Sequence, residues 1–193
     1  MSIHKANALV LRRMDFRETS LIVDFYTREF GRISGILKGI RAEPGKFAST
    51  VEACSLNEII FYKKQNSSLH LVSACDLRNK FFNLRQNISK AGISSFMMEL
   101  ILAVMQPEDR NEDVFDLAIN SLTELESAYN PDKIATIFKI KMLALSGFKP
   151  HFDSCVSCSQ RISGQTKFSL AQGGLLCQSC CHKDLRARPI FRG

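Results

Sequence analysis

The sequence predicts an α+β chain of several parts: a basic N-terminal β-barrel, a middle α-helical bundle and a C-terminal four-cysteine metal-binding ribbon. Three observations predict it. Short β-branched and aromatic runs fill the first part of the chain, the apolar period changes from two to about 3.6 near Leu84, and Cys155, Cys158, Cys177 and Cys180 read C-x2-C-x18-C-x2-C. The resulting boundaries are 1–80, 81–150 and 151–183, with a basic tail over 184–193.

Five runs carry the barrel: Asn7-Ala-Leu-Val-Leu-Arg, Ser20-Leu-Ile-Val-Asp-Phe-Tyr, Arg32-Ile-Ser-Gly-Ile-Leu-Lys, Glu58-Ile-Ile-Phe-Tyr-Lys and Leu69-His-Leu-Val-Ser-Ala. Gly, Asn, Ser and charged residues separate them, as turns between short strands require. Five strands in a basic module suit a small Greek-key barrel of the OB type, with an SH3-like barrel or open meander as the alternatives. Phe25 and Tyr26, and Phe61 and Tyr62, are adjacent pairs, so one ring of each pair is expected inside and the other outside, where it can stack a base. Cys54 and Cys75, set among apolar residues, read as small core residues.

From Leu84 the pattern is helical. Ile88, Ala91, Ser95, Met98, Ile101 and Leu102 are expected on one face, and Gln106-Pro107 stops the run. Asn111 is placed to cap a helix over 112–127, and Asn130-Pro131 to start a third that ends at Gly147. The run Phe96-Met-Met-Glu-Leu-Ile-Leu102 reads as bundle core rather than a partner groove, within an apolar stretch from Phe96 to Met105. Glu99 interrupts it, and it is too short to span a bilayer.

In the ribbon, each two-residue gap lets a tight turn aim two sulfurs at one point, and four thiolates suit a tetrahedral divalent ion, with zinc as the expected occupant. Lys167-Phe-Ser-Leu and Leu175-Leu176-Cys177 read as two strands around Gly173-Gly174, returning the second pair to the first. Cys181 and His182 stand beside Cys180 as alternative fourth ligands. A filled sulfur shell leaves no position for a reactive water, so the metal is read as structural. The H-x-E and P-C-x-x-C elements of a zinc deaminase do not occur.

Charge is uneven. Residues 1–80 carry 13 Lys+Arg against 8 Asp+Glu, 81–150 carry 7 against 9, and 151–193 carry 6 against 2, within a net charge of +7. Two basic ends around an acidic middle fit a phosphate-binding surface, as they fit a solvated basic face. The candidate DNA-binding residues are Arg12, Arg13, Arg17, Arg32, Lys38, Arg41 and Lys46, and the loop from Lys38 to Lys46 is the best candidate for meeting a phosphate run. Gly31, Gly35 and Gly39 lack the spacing of a dinucleotide fingerprint, and no Walker lysine loop occurs. Seven cysteines in a chain opening Met1-Ser-Ile-His-Lys, without an apolar leader, point to a reducing cytoplasm.

Taken together, Ala8-Leu-Val-Leu, Glu18, Phe25-Tyr26-Thr27, Gly31 and Lys38-Gly39-Ile40-Arg41 are similar to the N-terminal pattern of a known family. The stretch Phe138 to Pro150, ending G-x-x-P, followed by Cys155-Val-Ser-Cys158, Phe168-Ser and Gly173-Gly174-Leu-Leu-Cys177, matches it more tightly. The chain resembles RecO, the family of bacterial recombination mediators, over essentially its whole length. The resemblance implies an OB-fold, a helical domain and a zinc ribbon, in that order. It also implies binding of single- and double-stranded DNA, strand annealing, and cooperation with RecR and single-strand-binding protein in loading RecA.

Two departures accompany the resemblance. Where the family carries a polar-Pro-Phe element, this chain reads Ala48-Ser-Thr-Val-Glu-Ala-Cys54. Family members continue into further helices, so Leu185-Arg-Ala-Arg-Pro-Ile-Phe-Arg is read as the approach to them, and the middle domain is expected to leave apolar surface bare. The reading is a non-enzymatic DNA-binding mediator of the nucleoid. The alternatives are an interaction module whose basic barrel touches RNA or a ribosome, and a zinc hydrolase or deaminase.

Overall fold

The computed structural model describes residues 2–42, 51–64 and 67–190. They form two compact units, Met1–Met142 and Leu143–Gly193. The first is built on five strands, β1 (Ser2–Phe16), β2 (Ser20–Thr27), β3 (Gly31–Leu37), β4 (Leu56–Lys63) and β5 (Leu69–Asn79). All five predicted strands are present, in a closed barrel of order β1-β2-β3-β5-β4. β1 is long enough to pair β4 from Ser2 to Leu9 and β2 from Ala8 to Phe16, and its pairing with β2 carries a bulge between Val10 and Arg12. The closing contact is the parallel pairing of β3 with β5, from Ser34 opposite Leu69 to Ile36 opposite Leu71.

Alternate residues of each strand fill the barrel: Ala6, Ala8, Val10, Val23, Phe25, Ile33, Ile59, Phe61 and Val72 all lie in one buried cluster. Gly35 makes room for Phe25, since a Cβ there would stand 2.5 Å from Val72 Cγ2 and 3.2 Å from the Phe25 ring. The pair Phe61 and Tyr62 splits as expected, with Phe61 inside and Tyr62 half-buried outside. The pair Phe25 and Tyr26 does not, for both rings are fully buried. Tyr26 is not part of the barrel cluster, and its hydroxyl donates to the carbonyl of Asn111, the residue that caps the second helix, at 3.2 Å. Burial, with Asp109 nearby, holds its phenol far above the ordinary range. Tyr26→Phe should therefore cost about 1 kcal/mol in urea denaturation, the net worth of one part-buried hydrogen bond, while leaving the m-value unchanged.

Three helices follow: α1 (Ile88–Val104), α2 (Glu112–Ser127) and α3 (Pro131–Leu145). Each begins on an asparagine cap. Asn87 accepts from the amides of Ser89 and Lys90, Asn111 from Val114, and Asn130 from Lys133. α3 ends at Gly147 (φ 83°), where Phe148 N donates to Leu143 O at 2.9 Å in a Schellman closure. The face of α1 differs from the expected one: Ser94, Met97, Met98 and Ile101 are buried, whereas Ser95 is exposed and Ile88 is 93% exposed. The sequence reading centred the face one residue away, because methionines and isoleucines surround α1 and make its period ambiguous. α2 is cleanly amphipathic, burying Val114, Leu117, Ala118, Ser121, Leu122 and Leu125. Ile140 and Leu143 of α3 and Tyr129 before it are exposed.

The helices are tied to the barrel at its β2–β3 end. Arg28 pairs with Glu112 and Asp116 of α2, Arg32 donates to the Leu102 carbonyl near the end of α1, and Glu108 N donates to Arg32 O. Gly31, at φ 65°, lies so close to the α1–α2 loop that an added Cβ would stand 2.1 Å from Asp109 O.

The second unit carries a three-stranded sheet of order β7-β6-β8, from β6 (Thr166–Ser169), β7 (Gly174–Leu176) and β8 (Arg188–Ile190). β6 and β7 are the predicted hairpin. β8 lies in the segment read as the approach to further helices. Its residues instead pair with β6, Arg188 opposite Phe168 and Ile190 opposite Thr166. No helix among the described residues is long and apolar enough to cross a membrane.

Candidate functional site

Local backbone chemistry brings the four predicted cysteines together. Ser159 N donates to Cys155 O at 2.8 Å and Cys180 N to Cys177 O at 3.0 Å, so each pair sits on a tight turn. The two turns are joined through the hairpin. Val156 N donates to Leu175 O at 2.8 Å, and His151 and Gly174 lie so close that a Cβ on Gly174 would stand 2.8 Å from His151 O. The four sulfurs of Cys155, Cys158, Cys177 and Cys180 lie within 4.8 Å of one another, and Cys158 Sγ stands 3.8 Å from Cys177 Sγ. Four sulfurs held tetrahedrally at about 2.3 Å from one ion stand roughly 3.8 Å apart, so the four are close enough together to hold a metal ion. The cluster contains neither Cys181, whose thiol donates to the Gln178 carbonyl at 3.0 Å, nor His182.

The electrostatics of the cluster are those of an anion site in search of a cation. Burial opposes ionisation of Cys155, yet the amides of Cys177, Ser157 and Cys158 outweigh it and bring its thiol down to about 6. Burial, reinforced by the neighbouring thiols of Cys158 and Cys177, pushes Cys180 up to about 11. A divalent ion held by all four sulfurs would have its shell filled, leaving no position for a reacting water.

On the barrel the predicted cations fall into different situations. Arg12 is held by two hydrogen bonds to Asp24 Oδ2, at 3.0 and 2.8 Å, and the other oxygen of Asp24 accepts from Ser34 Oγ. Arg32 is half-buried and spent on the end of α1. Arg13 donates to the Val51 carbonyl at 3.1 Å. Arg17, Lys38 and Arg41 are exposed and gather at one end of the barrel, where Arg41 N donates to Thr19 O at 3.0 Å and Arg41 Nη1 approaches Arg17 O and Asp15 Oδ2, each at 3.4 Å. Lys46 lies outside the described residues. Sequence reasoning passed over Lys80 and Arg85, which stand with Arg13 around a cleft of about 430 Å³. Their local signal, two cations flanking Phe81-Phe82, is weak, since only folding brings them to Arg13.

A family model described as Recombination protein O N terminal matches residues 1–81, and a second, Recombination protein O C terminal, matches residues 85–192. The chain belongs to the RecO family. Similar relatives are DNA repair protein RecO of Caldicellulosiruptor bescii, 32% identical over 93% of this chain and 73% of the relative, and that of Caldicellulosiruptor saccharolyticus, 31% identical over the same shares. DNA repair protein RecO of Syntrophus aciditrophicus is 29% identical over 92% of this chain and 69% of its own length. RecO is a DNA-repair family and not a family of enzymes.

Proposed function

We propose that this chain is a DNA-binding recombination mediator: it holds DNA through phosphate contacts at the end of the barrel, and zinc in the cysteine cluster serves the fold. The observation that carries this is the gathering of Arg17, Lys38 and Arg41 on the β1–β2 turn and the segment after β3. The strand order of the barrel supports assignment as an OB-fold, and the β1–β2 loop is one of the loops with which OB-folds bind oligonucleotides. In this reading the chain binds single- and double-stranded DNA in the bacterial cytoplasm, promotes annealing, and acts with RecR and single-strand-binding protein to load RecA. Pull-down of the full chain with RecR and with single-strand-binding protein tests the partnerships, and binding neither counts against them.

The DNA contact makes a graded prediction. Arg17→Ala, Lys38→Ala and Arg41→Ala should each weaken binding of any single-stranded sequence similarly and reduce the salt slope by about 0.7, the loss of one phosphate contact. Arg12→Ala should do less, because Asp24 already neutralises Arg12. Unchanged slopes in the first three place the DNA elsewhere. An RNA strand of equal sequence bound more tightly than DNA would favour the RNA-binding alternative.

A further inference from the structure

The cleft around Arg13 lies where barrel and helices meet. Arg13 and Glu52 come from the barrel side, Lys80 and Arg85 from the segment after β5, and Ser94 and Ser95 from α1. Three cations face one carboxylate. Arg85 pairs with Glu52 and donates to the Ala53 carbonyl at 3.1 Å, while Lys80 projects to solvent. Burial, and then the nearby charge of Arg13, lowers the affinity of Arg85 for its proton. Among the described residues the cleft therefore sets three like charges close together against one counter-charge.

The backbone around it is also costly. Five non-glycine residues among those described have positive φ, and two of them, Cys54 at 61° and Phe81 at 46°, line this cleft. A left-handed backbone is costly for a residue with a Cβ, and such residues concentrate where a fold must present particular groups. Here they sit beside Glu52 on one wall and between Lys80 and Arg85 on the other. Glu52 is a counterion that a stronger anion can displace, which is the arrangement of an anion site held in readiness.

We infer that this cleft is a second nucleic-acid contact, taking a backbone phosphate between Arg13, Lys80 and Arg85 when the strand displaces Glu52 from Arg85. The inference rests on the DNA-binding reading above. It extends the phosphate track along β1, from Arg17 at its turn to Arg13 four residues earlier, about 13 Å away at 3.3 Å per residue.

The experiment measures binding of a fluorescent single-stranded oligonucleotide to the full chain across a salt series, with thermal unfolding as the check on folding. Lys80→Gln removes an exposed cation, so it should weaken binding about five-fold at 0.1 M salt and cut the slope by about 0.7. Glu52→Gln removes the competitor and should tighten binding, a sign that mere damage to the fold does not produce. Either variant binding as the wild type does, while Arg17→Ala and Arg41→Ala lose affinity, overturns the cleft and leaves the barrel-end reading standing. Wild-type protein that binds no strand overturns both.

Discussion

Removing the metal with a chelator, or replacing Cys155 with serine, should unfold the unit Leu143–Gly193 while Met1–Met142 still melts as one cooperative transition. The reason is the poverty of the ribbon core. Its buried cluster comprises Cys155, Leu176, Cys177, Cys180 and Ala187, so three of its five members are themselves candidate ligands. Its strands span three or four residues, too little sheet to stand alone. With so little apolar surface to bury, a bound ion would have to supply much of the folding energy, and structural zinc in zinc-finger peptides supplies about 10–16 kcal/mol at neutral pH. Amide exchange resolved along the chain reads both units at once. Ribbon amides that stay protected after metal removal would defeat the claim, as would purified protein with no bound zinc and an intact β6–β7 hairpin.

Gly31→Ala should be the most damaging single methyl group in the barrel, at about 3 kcal/mol or more. A left-handed φ of 65° costs an alanine roughly 1–2 kcal/mol. The new Cβ would also stand 2.1 Å from Asp109 O and 2.4 Å from Asp109 C, both backbone atoms that cannot rotate away. Overpacking of that kind adds about 1–3 kcal/mol. Urea denaturation should show a lower midpoint at constant m-value, and a loss below about 1 kcal/mol would mean that the α1–α2 loop yields freely. Gly39→Ala is the control, since Gly39 has a positive φ of 76° but nothing within 4 Å of the added atom.

What the sequence disclosed, and what it hid, follows the range of the interactions concerned. The five strands, the caps at Asn111 and Asn130, the stop at Gly147 and the convergence of the cysteine pairs depend on residues a few positions apart, so their signals are local. The burial of Tyr26 depends on Asn111, 85 positions away, and alternation along β2 predicts only that the ring leaves the barrel, not that a helix waits for it. The neutralising of Arg12 by Asp24 is a matter of cross-strand register, and a one-residue slip would have left it free. Arg32 reads as a surface cation until α1 is seen to end against it. The cleft at Arg13 was least legible, because its cations come from two separate stretches of chain. β8 was hidden for a different reason: a short run of Arg-Pro-Ile carries no alternation, and pairing with β6 alone makes it a strand.

The two family models part between residues 81 and 85, so descent can be traced for each half separately. The physical bonds ignore that division. Tyr26, Arg28, Gly31 and Arg32 from the first half are completed by Asn111, Glu112, Asp109 and Leu102 from the second. A lineage that exchanged one half for a distant relative's would inherit a barrel whose buried hydroxyl and closest glycine face the wrong loop. A change in the turn before β3 would therefore have to be matched by the loop between α1 and α2, although the two stretches fall in different family models.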